Sequence, residues 1–163
     1  MEWTGEQITS GCFWQAVGAR PVGATIVTTQ TADGPAGFLG LSFAHVSAEP
    51  PTVLVSAGHR TGALPAILTS KAFAISLLPP DMEELARAFG GSVGGENRFG
   101  GQSWDHLVTG APVLSSAAAA FDCRLQATLE DEGAVVILGR VVGLRVPDAA
   151  GVTIAYRGGY RNL

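Results

Sequence analysis

Cysteine is scarce in this chain. Cys12 and Cys123 stand far apart and form no C-x-x-C pair. That argues against a disulfide scaffold or a dithiol redox motif, and both are expected as reduced core residues of a cytoplasmic protein. Positive charge is scarce too. The formal net charge is −4, which leaves no basic face for nucleic acid. No apolar run approaches the ~20 residues of a membrane span. The N-terminus shows no basic segment followed by an apolar core, so no signal peptide is expected. His45, His59 and His106 have neither metal-ligand spacing nor a carboxylate motif beside them, which argues against zinc. Internal repeats and low-complexity tracts are absent.

The usual marks of catalysis by protein groups are missing as well. Gly40-Leu41-Ser42-Phe43-Ala44 lacks the second glycine of G-x-S-x-G. The six glycines between Gly90 and Gly101 match neither G-x-x-x-x-G-K-[ST] nor G-x-G-x-x-G, and a helix is expected ahead of them where a phosphate loop needs a strand. They read as a mobile surface loop from which Asn97, Arg98 and Phe99 reach towards a ligand. The carboxylates have structural explanations: Glu49 in a turn, Asp81 and Glu84 in helix capping, Asp131 and Glu132 in a turn. Only Arg124 offers a cation beside a cysteine, Cys123. Chemistry is therefore expected from a bound organic cofactor.

What is present is an apolar single domain. Hydrophobic residues make up 47% of the 163 residues and charged ones 15%. Residues 1–163 are expected to form one domain, with 1–19 as an N-terminal helical segment, and so little surface charge favours an oligomer. Thr4 and Gln7 form a T-x-x-Q capping box for a helix from Thr4 to Ala19, with Ile8, Cys12, Ala16 and Val17 on one face. Trp3, Phe13 and Trp14 exceed what that helix needs and suggest a partner subunit. A strand is expected over Ala24–Thr31, turning through Ala32-Asp33-Gly34-Pro35 into a hairpin. A short helix follows over Ala63–Ser70, then a strand over Phe73–Leu78. Asp81 is placed as the cap of a helix whose apolar face is Met82, Leu85 and Phe89. From Ala120, strict alternation places Phe121, Cys123, Leu125, Ala127 and Leu129 inward and Asp122, Arg124, Gln126, Thr128 and Glu130 outward. Strands over Ala134–Val146 and Val152–Tyr156 and a polar tail over Arg157–Leu163 complete the chain. With no β-α-β alternation, six or seven strands with flanking helices imply a mainly β, antiparallel fold closed into a barrel.

Gly37 to Val55 is the most distinctive stretch. It reads as two strands joined at Pro50-Pro51. The first, Phe38–Ser47, mixes bulky apolar residues with Gly40, Ser42, His45 and Ser47, and these read equally as a solvent face or as room and donors for a bound group.

This stretch resembles the hallmark segment of the short-chain flavin reductases, the reductase components of two-component flavin monooxygenases, which commonly read G-x-T-x-S-A-F-T-S-V-S-x-D-P-P-x-V. Gly37, Phe43, Val46, Ser47, Pro50 and Pro51 match, with Glu49 at the acidic position. Pro21 to Thr28 is similar to the family's first strand, and Phe73 to Leu78 to its F-A-V-N-V-L strand. Leu85 to Phe89 is similar to L-A-x-x-F, and Asn97-Arg98-Phe99 to D-R-F. Cys123, Leu138 to Val141 and Tyr156 to Tyr160 match the C-terminal strands and tail. The resemblance runs from residue 13 onward.

It implies an FMN-binding split β-barrel homodimer. FMN (alternatively FAD) would be reduced by NADH or NADPH and passed to a partner monooxygenase. The alternatives are a flavoprotein of the same fold that is not a general NAD(P)H:flavin reductase, and a binding module that has lost its flavin. Carried over by position, the cofactor-binding set is Val22, Leu41, Ser42, Ala44, His45, Ser47, Ser56, His59, Arg60, Phe99 and Tyr160. His59 and Arg60 would lie near the flavin phosphate, and Phe99, Trp104 and Tyr160 would close over the ring. Three departures stand out. Leu39 replaces a threonine and Ala44-His45 a Thr-Ser pair. Glu132-Gly133-Ala134 replaces the Gly-Asp-His whose histidine touches the nicotinamide in many members. No protein-borne catalytic residue is expected; His45 is the candidate to take that histidine's place.

Overall fold

The computed structural model describes residues 1–91, 97–148 and 151–163. Its strands are β1 (Val22–Gly23), β2 (Thr25–Thr31), β3 (Gly34–Gly40), β4 (Ala44–Ala48), β5 (Pro51–Gly58), β6 (Ala72–Leu77), β7 (Trp104–His106), β8 (Pro112–Leu114), β9 (Ala119–Glu130), β10 (Ala134–Arg145), β11 (Thr153–Tyr156) and β12 (Gly159–Asn162). The helices are α1 (Ser10–Gly18), α2 (Leu64–Ser70) and α3 (Glu83–Phe89). All the strand pairs are antiparallel. The fold is mainly β with a few helices, as the sequence pattern implies.

Seven strands form one sheet in the order β3-β2-β6-β9-β10-β5-β4. Its two edge strands, β3 and β4, are consecutive in the chain and joined only by Leu41-Ser42-Phe43. Laid flat, seven strands would separate the edges by roughly 29 Å at ~4.8 Å per strand. Four Cα steps reach at most about 14 Å. The sheet therefore curls until its edges approach.

The concave side holds the first core, in which Val27, Val55, Phe73, Ile75, Cys123 and Ile137 are fully buried and Leu64 and Ile67 of α2 pack against them. Period-two alternation sends their strand neighbours Ile26, Ala74 and Ala120 to the other face. There they meet Leu85 and Phe89 of α3 and Val113 and Leu114 of β8 in a second core.

Several sequence expectations are corrected. Phe38–Ser47 is not one strand: it ends at Gly40 and restarts at Ala44, because the chain must cross from one sheet edge to the other. Gly40 makes room for β2 rather than for a ligand, since a Cβ there would lie 2.8 Å from Val27 Cγ2 and 3.1 Å from Thr25 Oγ1. The Thr4–Gln7 box caps a 3-10 turn, Gly5–Gln7, and α1 begins afterwards with Thr9 as its cap. No residue of α1 is buried, so Cys12 is not a core residue. Asp81 does not cap α3; its backbone is left-handed (φ 64°) and its carboxylate accepts from Asn162 Nδ2 at 2.6 Å. The polar tail is a strand, β12, and short strands β1, β7 and β8 carry too little periodicity to be read from sequence.

Asp122 is the clearest exception to the alternation. Expected outward among solvent-facing polar residues, it is fully buried and accepts hydrogen bonds from the backbone N–H of Val108 (2.6 Å) and Thr109 (2.7 Å) and from the Thr109 hydroxyl. The carboxylate satisfies the loop leading into β8, which no local pattern in β9 announces. Ala127 and Leu129, expected inward, are exposed because a register shift between Leu138 and Gly139 turns them, with Leu138 and Val136, to the face opposite the first-core residues Val135 and Ile137. Residues 92–96 of the glycine-rich loop lie outside the described residues.

Candidate functional site

A cleft of about 890 Å³ lies beside the curled sheet's seam. One wall is Pro35–Leu39 of β3. The connector from Gly58 to Ala63, between β5 and α2, forms another. Phe89, Gly90 and Gly91 at the end of α3 close it with Arg98 and Phe99, and the β9–β10 turn adds Glu132 and Gly133. The volume lies within the usual range for small-molecule sites, roughly 300–1,000 Å³.

Its chemistry follows from these residues. Arg60 and Arg98 bring two guanidinium groups, and the ion pairs among the described residues, Arg87–Glu83 and Arg145–Asp105, involve neither. Such groups form charge-assisted hydrogen bonds with phosphate or carboxylate. A Cβ added at Gly62, Gly91 or Gly133 would meet nothing within 4 Å among the described residues. Those backbones are therefore bare, and a ligand can approach their peptide groups closely. Phe99 is held from behind: it packs against Phe89 and Trp104, with ring centroids at 5.1 and 4.9 Å, and its carbonyl accepts from Trp104 Nε1 at 2.9 Å. A roomy cleft with a flat apolar wall, bare backbone and two cations suits a planar group carrying an anionic tail.

His59, Arg60 and Phe99 meet at this cleft. His59 is already engaged, its Nε2–H donating to the Asp131 carbonyl at 2.8 Å. Ser42 and Ser56 form a separate pair across the seam, where the Ser42 hydroxyl accepts from Ser56 N at 2.7 Å. Leu41, in the link two residues past the cleft wall at Leu39, and Ala44, His45 and Ser47, on the edge strand β4, flank that pair along the chain. The Ser47 hydroxyl donates to the Pro50 carbonyl at 2.6 Å. Val22 pairs with Ala155 in the small β1-β11-β12 sheet, away from the cleft-lining residues. Tyr160 packs against the second core under the Arg87 guanidinium, 5.3 Å from its ring centre. Burial raises the Tyr160 phenol above its ordinary value, with Arg87 opposing. Trp104 likewise belongs to the second core. Sequence reasoning missed the β3 wall and the paired glycines at 90 and 91. It read Glu132 and Gly133 only as a turn and as a family departure. Their shared signal was glycine beside a strand or helix end, which is too common to single out.

An antiparallel, curled β-sheet with an anion-ready cleft at its seam defines a small-molecule-binding domain, and the comparisons with known proteins say which kind. Residues 17–163 match the flavin reductase like domain, and the chain belongs to that family. It is 38% identical over 120 residues to the FMN reductase (NADH) RutF of Bradyrhizobium diazoefficiens, spanning 74% of this chain and 67% of that one. The NADH:FAD oxidoreductase SgcE6 of Streptomyces globisporus superposes with a TM-score of 0.89 at 26% identity, covering 99% of this chain and 96% of its own. That protein has also been solved with NAD and FAD fragments. A homologue of nitrilotriacetate monooxygenase component B from Mycobacterium thermoresistibile superposes with a TM-score of 0.88 at 28% identity, covering 94% and 86%. No helix among the described residues is long and apolar enough to cross a membrane.

Proposed function

We propose that this chain is an NAD(P)H:flavin oxidoreductase that binds FMN, or alternatively FAD, and supplies reduced flavin to a partner monooxygenase. The observation that carries this reading is the cleft of Arg60, Arg98, Phe99 and bare glycine backbone in a chain of the flavin reductase like family. The names of its relatives support NADH as the reductant, and component B of a monooxygenase supports the partner. NADPH remains the alternative co-substrate.

The residues present fit a flavin. When bound, flavin supplies the redox chemistry, accepting a hydride from the nicotinamide. The protein binds, orients and excludes water. Arg60 and Arg98 hold the phosphate, Phe99 offers an apolar wall, and Gly62, Gly91 and Gly133 let peptide groups approach. Leu41, Ser42, Ala44, His45, Ser47 and Ser56 form a second strip along the seam that lines the flavin, held in place by the Ser42–Ser56 hydrogen bond. His59 supports the rim. Val22 and Tyr160 complete the proposed set at greater remove.

The fold reading is a split β-barrel, supported by the edge-to-edge link at Leu41–Phe43. Residues 1–163 act as one cytoplasmic domain and assemble as a homodimer, supported by the exposed apolar side chains Leu129, Leu144 and Val146. One observation favours a second reading, a flavoprotein that reduces another substrate. Position 134, histidine in many members of the family, is alanine here and faces Gly58 across the ladder. Titrating FMN into the purified chain while following flavin fluorescence, then adding NADH, tests both. Saturable binding followed by nicotinamide oxidation is the expected outcome. Binding without oxidation favours the second reading, and no binding defeats both.

A further inference from the structure

Another cleft, of about 670 Å³, lies between α1 and the turn joining β11 to β12, and it shares no lining residue with the first. Gly11, Trp14, Gln15 and Gly18 line it from α1, where spacings of three and four residues put them on one face. Arg157 and Gly158 line it from the turn. Trp14 is 66% exposed, a large aromatic side chain left open to solvent. The glycines three residues before it and four after it carry no side chain to cover the indole. Phe13 meets it edge to face, with ring centroids 5.5 Å apart, and so holds it from the side.

The turn carries an arginine where its backbone favours another residue. Tyr156 pairs with Gly159, so Arg157 and Gly158 are the two residues of a tight hairpin loop. Both have positive φ, 50° and 75°, the pattern of a type I′ turn, which Asn-Gly or Gly-Gly fills without strain. A long side chain in the left-handed region is uncommon and strained. The carbonyls at the end of α1 do not require it, since Ala16, Val17 and Gly18 accept from the backbone N–H of Ala19, Arg20 and Arg157. Its guanidinium joins no ion pair among the described residues. It lies over the Tyr156 ring, 5.3 Å from the centre, a contact that consumes none of its N–H donors. No carboxylate is among the described residues that line the cleft.

We propose that this cleft is a second binding site, separate from the flavin cleft proposed above, for a planar aromatic carboxylate. The ligand's ring stacks on the Trp14 indole. Its carboxylate takes paired hydrogen bonds from the Arg157 guanidinium. The Gln15 amide, both donor and acceptor, meets a polar substituent on the ring. A Cβ at Gly158 would meet nothing within 4 Å among the described residues, so the ligand can approach the turn's backbone closely. The left-handed arginine is the signature of this role: glycine would relax the turn and forfeit the anion.

Calorimetric titration of the full chain, saturated with FMN, with 2-naphthoate tests it. Saturable binding is expected. Cyclohexanecarboxylate, which has the charge without the flat ring, should bind at least about tenfold more weakly. Trp14→Ala and Arg157→Gly should each weaken 2-naphthoate binding at least about tenfold and leave FMN affinity unchanged. Arg157→Gly should also raise the thermal midpoint of the chain without 2-naphthoate, whereas an arginine kept for the fold would lower it on removal. The proposal is overturned by no saturable binding, by binding that survives either substitution, by equal binding of cyclohexanecarboxylate, or by a lowered midpoint in Arg157→Gly. FMN affinity is read separately by fluorescence, so a failure of the flavin reading would not mimic any of these results.

Discussion

His59, on the connector wall of the cleft, and Asp131, just before the turn residues Glu132 and Gly133 that line it, are joined by a 2.8 Å hydrogen bond from the imidazole Nε2 to the main-chain carbonyl. It fastens the Gly58–Ala63 connector, which carries Arg60, to the β9–β10 turn. His59→Ala should therefore loosen the rim without removing a charge-bearing contact to the ligand. A net loss of about 1 kcal/mol corresponds to a KM for flavin raised roughly fivefold. His59→Gln keeps a donor and should recover most of it. Steady-state kinetics on the two variants checks this.

Arg60 separates phosphate recognition from ring recognition. Arg60→Ala should weaken FMN binding by about 10- to 100-fold, the worth of a charge-assisted hydrogen bond. Riboflavin, which has no phosphate, should lose little. Paired fluorescence titrations with the two flavins read the difference.

Asp122 should matter to stability rather than to turnover. Asp122→Ala leaves the backbone N–H groups of Val108 and Thr109 and the Thr109 hydroxyl without their acceptor. A destabilisation of about 3 kcal/mol is expected by urea denaturation.

Cys123, beside it, gives an alkaline signature. Burial pushes its thiol up to about 12, with the Asp122 carboxylate adding to the shift. The folded state holds this proton more tightly than the unfolded chain, whose thiol titrates near its ordinary value of 9.0. Its contribution to stability is complete below that value and falls as pH climbs from about 9 towards about 12. Urea midpoints measured across that window should fall less steeply in Cys123→Ala. In the native protein at neutral pH, Cys12 should alkylate and Cys123 should not.

Gly139 is required by packing. A Cβ there would collide with the Phe73 ring and lie 2.9 Å from Cys123 Cβ, all inside the first core. Gly139→Ala should cost about 1–3 kcal/mol, read as a lowered thermal midpoint.

Much of the fold was legible because β9 alternates and β2, β6 and β10 are β-branched or apolar runs bounded by turn or helix signals. The β2–β3 and β9–β10 hairpins were legible from their turns, but the pairing of β6 with β2 and β9 and of β10 with β5 was not. The link at Leu41–Phe43 reads as continuous strand because a three-residue crossing between sheet edges leaves no composition signal. Asp122 was misplaced because a buried carboxylate satisfied by a distant loop looks like any outward polar residue. At the site, His59, Arg60 and Phe99 were legible through their resemblance to family positions, and the cleft gathers them. The β3 wall and Gly90-Gly91 were not, since what they contribute is bare backbone and shape.

The most direct test of the central claim is anaerobic reduction of FMN by NADH in the presence of the purified chain, followed at the flavin's visible absorbance. The account predicts saturable, chain-dependent bleaching, with Arg60→Ala requiring more FMN to reach the same rate. No bleaching beyond the protein-free control, with FMN or FAD and with NADH or NADPH, would contradict it.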